Sequence, residues 1–149
     1  MAKSLEKSDY EALAGFRYAL RQFLRFSEVE AEGAGLNPQQ YQAMIVIKGY
    51  PDRDRVTIGE LAESLLIRHH SAVGLVDRLV LKGLVKREVA QEDRRQVYVS
   101  LTAQGEEILE RLAAQHREEF QRIGSTLTDL LGNLLKAHPY QAEAVEEII

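Results

Sequence analysis

TIGELAESLLIRHHSAVGLVDRLVLKGLVKREVAQEDRRQVYVSLT, residues 57–102, holds two helical hydrophobic periods followed by an alternation of two. Thr57-Ile58-Gly59-Glu60 is a capping box, in which the Thr hydroxyl and the Glu carboxylate satisfy each other's free backbone amides. Behind it Ile58, Leu61, Ala62 and Leu65 form one apolar face on a helix of about nine residues. A break at Ile67-Arg68-His69 precedes a second helix reaching about Lys82. Its inward residues are expected to be Ala72, Leu75, Val76, Leu79 and Val80, and its outward ones His70, Ser71, Gly74, Asp77 and Arg78. Gly83 closes it as the residue just past the helix end. Leu84–Val89 then reads as a strand and Ala90–Arg95 as a polar turn. Val97, Val99 and Leu101 alternate with Gln96, Tyr98 and Ser100 in a second strand.

Outward from this stretch the chain is helical. A first helix is expected from about Ser8 to Ala31, with Leu13, Phe16, Leu20, Phe23 and Leu24 at helical spacing and Tyr18, Ala19 and Phe26 widening the apolar surface, so that it is buried on two sides. Gly33-Ala34-Gly35 ends it. Asn37-Pro38-Gln39-Gln40 starts the next helix with an Asn cap and Pro at the first position, and Tyr41, Met44, Ile45 and Ile47 follow before Gly49-Tyr50-Pro51. Thr102 caps a helix running to about Ile123, Gly124 breaks it, Thr126 with Asp129 starts another to about Ala137, and His138-Pro139 starts a last short one. The fold class is therefore mainly α with a small β-hairpin wing (α+β), and 149 residues suit one domain.

Two short helices, the second followed directly by a hairpin, have the order of a winged helix-turn-helix. The B-DNA major groove, about 12 Å wide, admits one helix, and a hairpin beside it reaches the backbone or minor groove with its tip. Charge agrees locally and not globally. The net charge is −4, but the excess of acid lies in residues 101–149, with nine acidic and four basic side chains. From Arg68 to Arg95 there are seven basic (Arg68, Arg78, Lys82, Lys86, Arg87, Arg94, Arg95) and four acidic side chains, with His69 and His70 in addition.

The segments Leu61–Ala62, Val76-Asp77-Arg78-Leu79, Lys82-Gly83-Leu84-Val85 and Arg87 resemble the helix-turn-helix of the MarR family. Asp93-Arg94-Arg95, followed by Val97, Val99, Leu101-Thr102 and Gly105, resembles that family's wing. The resemblance implies the order α-α-β-α-α-β-wing-β-α-α. It also implies a winged helix-turn-helix lobe over about 36–101, with helices over about 8–32 and 102–149 forming a homodimer. Two recognition helices then face successive major grooves of a pseudo-palindromic double-stranded DNA operator. Implied DNA contacts are Arg68, His69, His70, Ser71, Gly74, Arg78, Asp93, Arg94 and Arg95, with Arg95 in the minor groove and Asp93 orienting it or an arginine of the recognition helix. Gly74 departs from the family pattern, which often has a polar or basic side chain there. The resemblance further implies a repressor released by a small phenolic or carboxylate effector, with Phe16, Arg17, Phe23, Phe26, Tyr41 and Met44 as pocket candidates. Read from the residues themselves, Phe16, Phe23, Phe26, Tyr41 and Met44 are first of all core and dimer packing, and the pocket is the alternative.

Other classes find little support. The chain has no cysteine, and it lacks a phosphate loop, a nucleophile elbow around a serine and a metal-binding residue pair four apart on a helix. His116 and Glu119 share a helix face without further ligands nearby, so neither metal nor cofactor is expected, and no enzymatic activity. Met1-Ala2-Lys3-Ser4 lacks the apolar run of a signal peptide, no run is long enough to span a bilayer, and a cytoplasmic location is expected.

Overall fold

The computed structural model describes residues 4–137, the side chain of Ala137 excepted. Along the chain lie α1 (Lys7–Gly33), α2 (Pro38–Gly49), β1 (Arg55–Thr57), α3 (Ile58–Leu65), α4 (His69–Leu81), β2 (Val85–Val89), β3 (Val97–Leu101) and α5 (Ala103–Ala137). They group into two compact units, one of residues 27–116 and one formed by the two ends of the chain outside that range, to which α1 and α5 both contribute. The short helix expected from His138-Pro139 lies outside the described residues. Among the described residues, no helix is long and apolar enough to cross a membrane.

Within residues 27–116 the helix starts follow the local chemistry of the sequence. Asn37 accepts from the Gln40 amide at 2.8 Å while Gln40 Oε1 accepts from the Asn37 amide at 3.1 Å. Thr57 and Glu60 repeat the exchange at 3.1 and 3.0 Å. Each box satisfies free backbone amides of the first turn from residues three apart, and a cap of this kind is worth about 1 kcal/mol. Met44 and Ile47 of α2, Leu61 of α3, and Leu75, Val76 and Leu79 of α4 are fully buried together with Val56 of β1, Val99 of β3 and Leu112 of α5. Burying a side chain of this size contributes roughly 1.5–3 kcal/mol, so α4 is held by its own apolar stripe. Val80, expected inward, is 36% exposed because it lies on the flank of that stripe.

The hairpin is part of a three-stranded antiparallel sheet in the order β1-β3-β2. Val85 pairs with Leu101 and Val89 with Val97, while Val56 of β1 pairs with Val99. Strand β1 has only three residues, too few for an alternation, and the resemblance alone had implied it. Leu84, assigned from sequence to the strand, instead sends its amide to the Leu79 carbonyl at 3.0 Å and completes the end of α4. Ala90 is buried and donates to the Gln96 carbonyl at 2.9 Å, which shortens the wing loop to residues 91–95.

Two expectations for the long helices are corrected. The expected break at Gly124 and fresh start at Thr126 are absent: α5 runs unbroken to Ala137. A glycine lowers helix propensity by about 1 kcal/mol without ending a helix, and the buried Ile123 beside it keeps the chain in register. Thr128 donates back to the Gly124 carbonyl at 2.8 Å, so a hydroxyl one turn past the supposed break bonds within the helix. In α1 the buried residues are the small ones, Ala12, Ala19 and Ala31, whereas Leu13, Leu20 and Leu24 are exposed in the single chain.

At the start of α5 a Cβ on Gly105 would overlap the Leu84 carbonyl, whereas one on Gly124 would meet nothing within 4 Å. Gly105→Ala is expected to lower stability by about 3 kcal/mol or more, because a backbone group rather than a flexible side chain would have to move. Gly124→Ala is expected to raise it by about 0.5–1 kcal/mol. Urea midpoints of the two variants check both, and a destabilised Gly124→Ala would contradict the unbroken helix.

Candidate nucleic-acid interface

The end of α3 and the start of α4 enclose a tight turn. The amides of Leu66 and Ile67 reach back to Glu63 and Ala62 at 3.2 and 3.0 Å, and Ile67 packs against the core. Arg68 is the N-cap of α4 and, unlike Asn37 and Thr57, makes no side-chain capping bond. His69, His70 and Ser71, the first three residues of α4, are exposed together with Arg68. Ala72, Leu75, Val76 and Leu79 fix the opposite face in the core, so the first turn of α4 is presented outward by burial of the following turns.

Gly74, the departure from the expected pattern, is only half-buried, and a Cβ there would lie 3.7 Å from Nη2 of Arg78. Arg78 therefore folds back along α4 by one turn and lays its guanidinium over the space that a side chain at 74 would take. The spacing of four made that geometry available. Asp77 pairs with Arg87 of β2, not with its neighbour Arg78, because adjacent residues on a helix point about 100° apart. Lys86 pairs with Glu88 at 3.3 Å. These exposed pairs contribute little stability, but they take Arg87 and Lys86 into local pairs and leave Arg78 on the same face as His70 and Ser71.

At the wing tip, Gln96 donates its amide to the Asp93 carbonyl at 2.9 Å, closing a turn over Asp93–Gln96. The Asp93 carboxylate accepts from the Arg95 amide at 3.0 Å and stands 3.5 Å from Arg95 Nε. Asp93 thus bonds to the Arg95 backbone and lies beside its guanidinium. The Arg95 side chain is 93% exposed, and Arg94 beside it is exposed as well.

Sequence reasoning missed a cluster that steadies β1 against α3. The Arg53 guanidinium lies 4.6 Å from the Tyr50 ring centre and 5.7 Å from that of Tyr98, and Arg55 lies 4.2 Å from Tyr98. Arg53 also pairs with Glu60, the capping-box residue of α3. No signal of spacing reveals this, since Tyr98 comes opposite Thr57 only through the sheet register. Partial burial works against ionisation of Glu60, but hydrogen bonds from Tyr50 and Thr57 and the Arg53 charge outweigh it and hold its carboxyl below the usual value.

The pocket candidates divide between the units, Phe16, Arg17, Phe23 and Phe26 in one and Tyr41 and Met44 in the other. Met44 is fully buried in the core, and Tyr41 is buried with its ring stacked on His116 at 4.5 Å, so both act as packing residues there. Phe23 lies against Phe120 with ring centres 4.3 Å apart; Phe16 and Phe26 are half-buried and Arg17 is exposed. His116 is buried with Nδ1 2.7 Å from the Leu112 carbonyl and Nε2 2.8 Å from the Ser27 hydroxyl, and Glu119 pairs with Arg122. The two residues weighed as a metal pair thus have separate protein partners.

Residues 34–96 match the sequence model of the MarR family. The HTH-type transcriptional regulator FarR of Neisseria gonorrhoeae is 29% identical over 111 residues, which cover 69% of this chain and 74% of that protein. The crystal structure of AbsC, a MarR family transcriptional regulator from Streptomyces coelicolor, aligns over 98% of this chain and 99% of its own, with a TM-score of 0.73 and 22% identity. That of the Staphylococcus aureus MepR–DNA complex aligns over 80% and 97%, with a TM-score of 0.60 and 21% identity.

Glu60→Gln keeps an acceptor for the capping box but removes the charge facing Arg53. A carboxyl whose folded pKa is depressed contributes stability that is present above its unfolded value and lost as pH falls through the folded one. The variant is therefore expected to melt below the wild-type chain at neutral pH and to converge on it as pH drops below the ordinary glutamate range. Melting curves from neutral pH to about pH 3 check this, and a constant difference across the range would assign Glu60 no linked charge.

Proposed function

We propose that the chain is a MarR-family protein that acts as a sequence-specific, double-stranded DNA-binding transcriptional regulator. The observation that carries this reading is the outward first turn of α4, with Arg68, His69, His70 and Ser71, joined by a wing whose Arg95 is oriented by Asp93 and 93% exposed. Arg68 brings no side-chain oxygen to the free amides of that turn, a need a phosphate oxygen can meet. Arg78, folded over Gly74, supplies the positive group that position 74 lacks. The MepR–DNA complex supports the same use of the fold, and the relatives are regulators rather than enzymes.

The finer parts of the reading are a homodimer on a pseudo-palindromic operator, a cytoplasmic location, and repression relieved by a small phenolic or carboxylate compound. Leu13, Leu20 and Leu24, exposed along α1, support a dimer, because such a stripe on a charged helix is stabilised by a second apolar surface. Repression follows if the dimer occupies DNA that the transcription machinery needs. Phe16, Arg17, Phe23 and Phe26 remain the effector contacts proposed, an aromatic wall with a cation for a carboxylate. Such a compound must bind the DNA-competent state less well than its alternative, since equal affinity shifts nothing.

Selection of bound duplexes from random DNA tests the reading directly. It is expected to return two half-sites whose centres lie about 10 bp apart. On the selected duplex, Arg95→Ala should cost on the order of 1–3 kcal/mol per subunit, most where A·T-rich flanks narrow the minor groove. Arg94→Ala, by contrast, should weaken all sequences alike and reduce the salt slope by about one. Titrations at two salt concentrations separate the two variants; equal losses on every flank would make the wing a plain electrostatic clamp. No enrichment of any duplex would overturn the proposal.

A further inference from the structure

Three helices of the 27–116 unit end on the same hydrogen-bond motif. The amides of Leu36, Ile67 and Leu84 return five residues, to the carbonyls of Ala31, Ala62 and Leu79, at 2.9, 3.0 and 3.0 Å. The amides just before them return three residues, Gly35 to Glu32, Leu66 to Glu63 and Gly83 to Val80, at 3.0, 3.2 and 2.9 Å. This arrangement places the residue past the helix end in the left-handed region, where glycine is favoured because it has no Cβ. Gly35 and Gly83 sit there with φ of 79° and 72°. At the third end the residue is Leu66, with φ 55°.

Leu66 gains nothing in return within the chain. The residue after the left-handed one in each motif, Leu36, Ile67 or Leu84, turns inward, but Leu66 itself is 93% exposed, the most exposed large hydrophobic residue among the described residues. A strained conformation combined with an exposed apolar side chain is a double departure from what stability favours, and such departures gather where a side chain is needed for binding. The place is specific. Leu66 lies two residues before Arg68, the N-cap of α4, on the turn that delivers Arg68, His69 and His70 to the surface.

We propose that Leu66 is a DNA contact, packing its isobutyl group against the deoxyribose edges that border the major groove when the first turn of α4 enters it. The inference rests on the DNA-binding reading above and adds a residue to it. The chemistry favours a duplex: an apolar group flanked by Arg68 and the two histidines matches a surface on which apolar sugars alternate with anionic phosphates. The contact is apolar, so it releases no counterion and leaves the salt slope unchanged.

Two substitutions separate contact from strain. Leu66→Asn installs a residue that tolerates the left-handed region but is polar; Leu66→Met retains both the strain and an apolar side chain. Full-length variants would be titrated against the duplex most enriched from a random double-stranded pool and melted in parallel. Leu66→Asn is expected to melt higher by about 3 °C and to bind about three- to tenfold more weakly, with the same salt slope, the worth of one or two methylene-sized contacts. Leu66→Met should bind within about twofold of wild type and not melt higher, since its apolar contact and its strain are both kept. Leu66→Asn binding as well as wild type would overturn the proposal alone, as would Leu66→Met binding as poorly as Leu66→Asn. A wild-type chain that binds no duplex would overturn the DNA-binding reading and this contact with it.

Discussion

Gly83 and Leu84, at the end of α4, are held by Thr102 and Gly105 at the start of α5. The Thr102 amide donates to the Leu84 carbonyl at 3.0 Å, its hydroxyl donates to the Gly83 carbonyl at 2.6 Å, and the same hydroxyl accepts from the Gly105 amide at 3.1 Å. One threonine therefore ends a strand, caps a helix and ties down the exit of the recognition helix. The approach is close enough that only glycine fits at 105. With Val85 paired to Leu101 immediately beyond the knot, the base of the wing is fixed to the end of α4. Arg95 at the far end of the hairpin thus has a defined path back to α4.

Legibility in the sequence followed the range of the interaction. Asn37 with Gln40, Thr57 with Glu60, Thr102 as a cap and Gly83 as a helix end each involve residues three or four apart, and all appear as read. The apolar stripe Ala72, Leu75, Val76, Leu79 is equally local. What escaped depended on register or on competition. Strand β1 and the cluster of Tyr50, Arg53, Arg55 and Tyr98 exist because Thr57 comes opposite Tyr98, a fact absent from either segment alone. Gly124 with Thr126 and Asp129 imitates a helix end and a new cap, but a helix already running passes through at the cost of one weak residue. Leu66 is the opposite case. The break at Ile67-Arg68-His69 was legible, but Leu66 is a leucine where local rules ask for glycine, so the left-handed residue that makes the break was not.

The same contrast between local and global governs the electrostatics. A net charge of −4 repels a polyanion at long range, but a Debye length of about 8 Å at physiological salt confines the comparison to the nearest groups. Near α4 and the wing, Asp77 faces Arg87 and Glu88 faces Lys86, which sets aside two of the acidic side chains of the 68–95 stretch against basic partners on β2. Arg68 is exposed at the helix start, Arg78 in the last turn of α4, and Arg94 and Arg95 at the wing tip.

Of the two acids in the wing loop, Glu92 and Asp93, it is Asp93 that contacts Arg95, and its placement answers the objection that a carboxylate there should weaken binding. It accepts the Arg95 amide and stands beside Nε, so part of its charge is spent on holding the turn. The Arg95 side chain nevertheless remains 93% exposed. An arginine on a flexible loop would lose rotamer and backbone freedom on entering a groove, at about 1–2 kcal/mol per residue fixed. A turn closed by Gln96 onto Asp93 has already lost much of that freedom on folding. The carboxylate therefore lowers the gross attraction and also lowers the entropy still to be lost on binding. Because the second effect survives salt screening and the first does not, the balance shifts in favour of the aspartate as ionic strength rises to that of a cell.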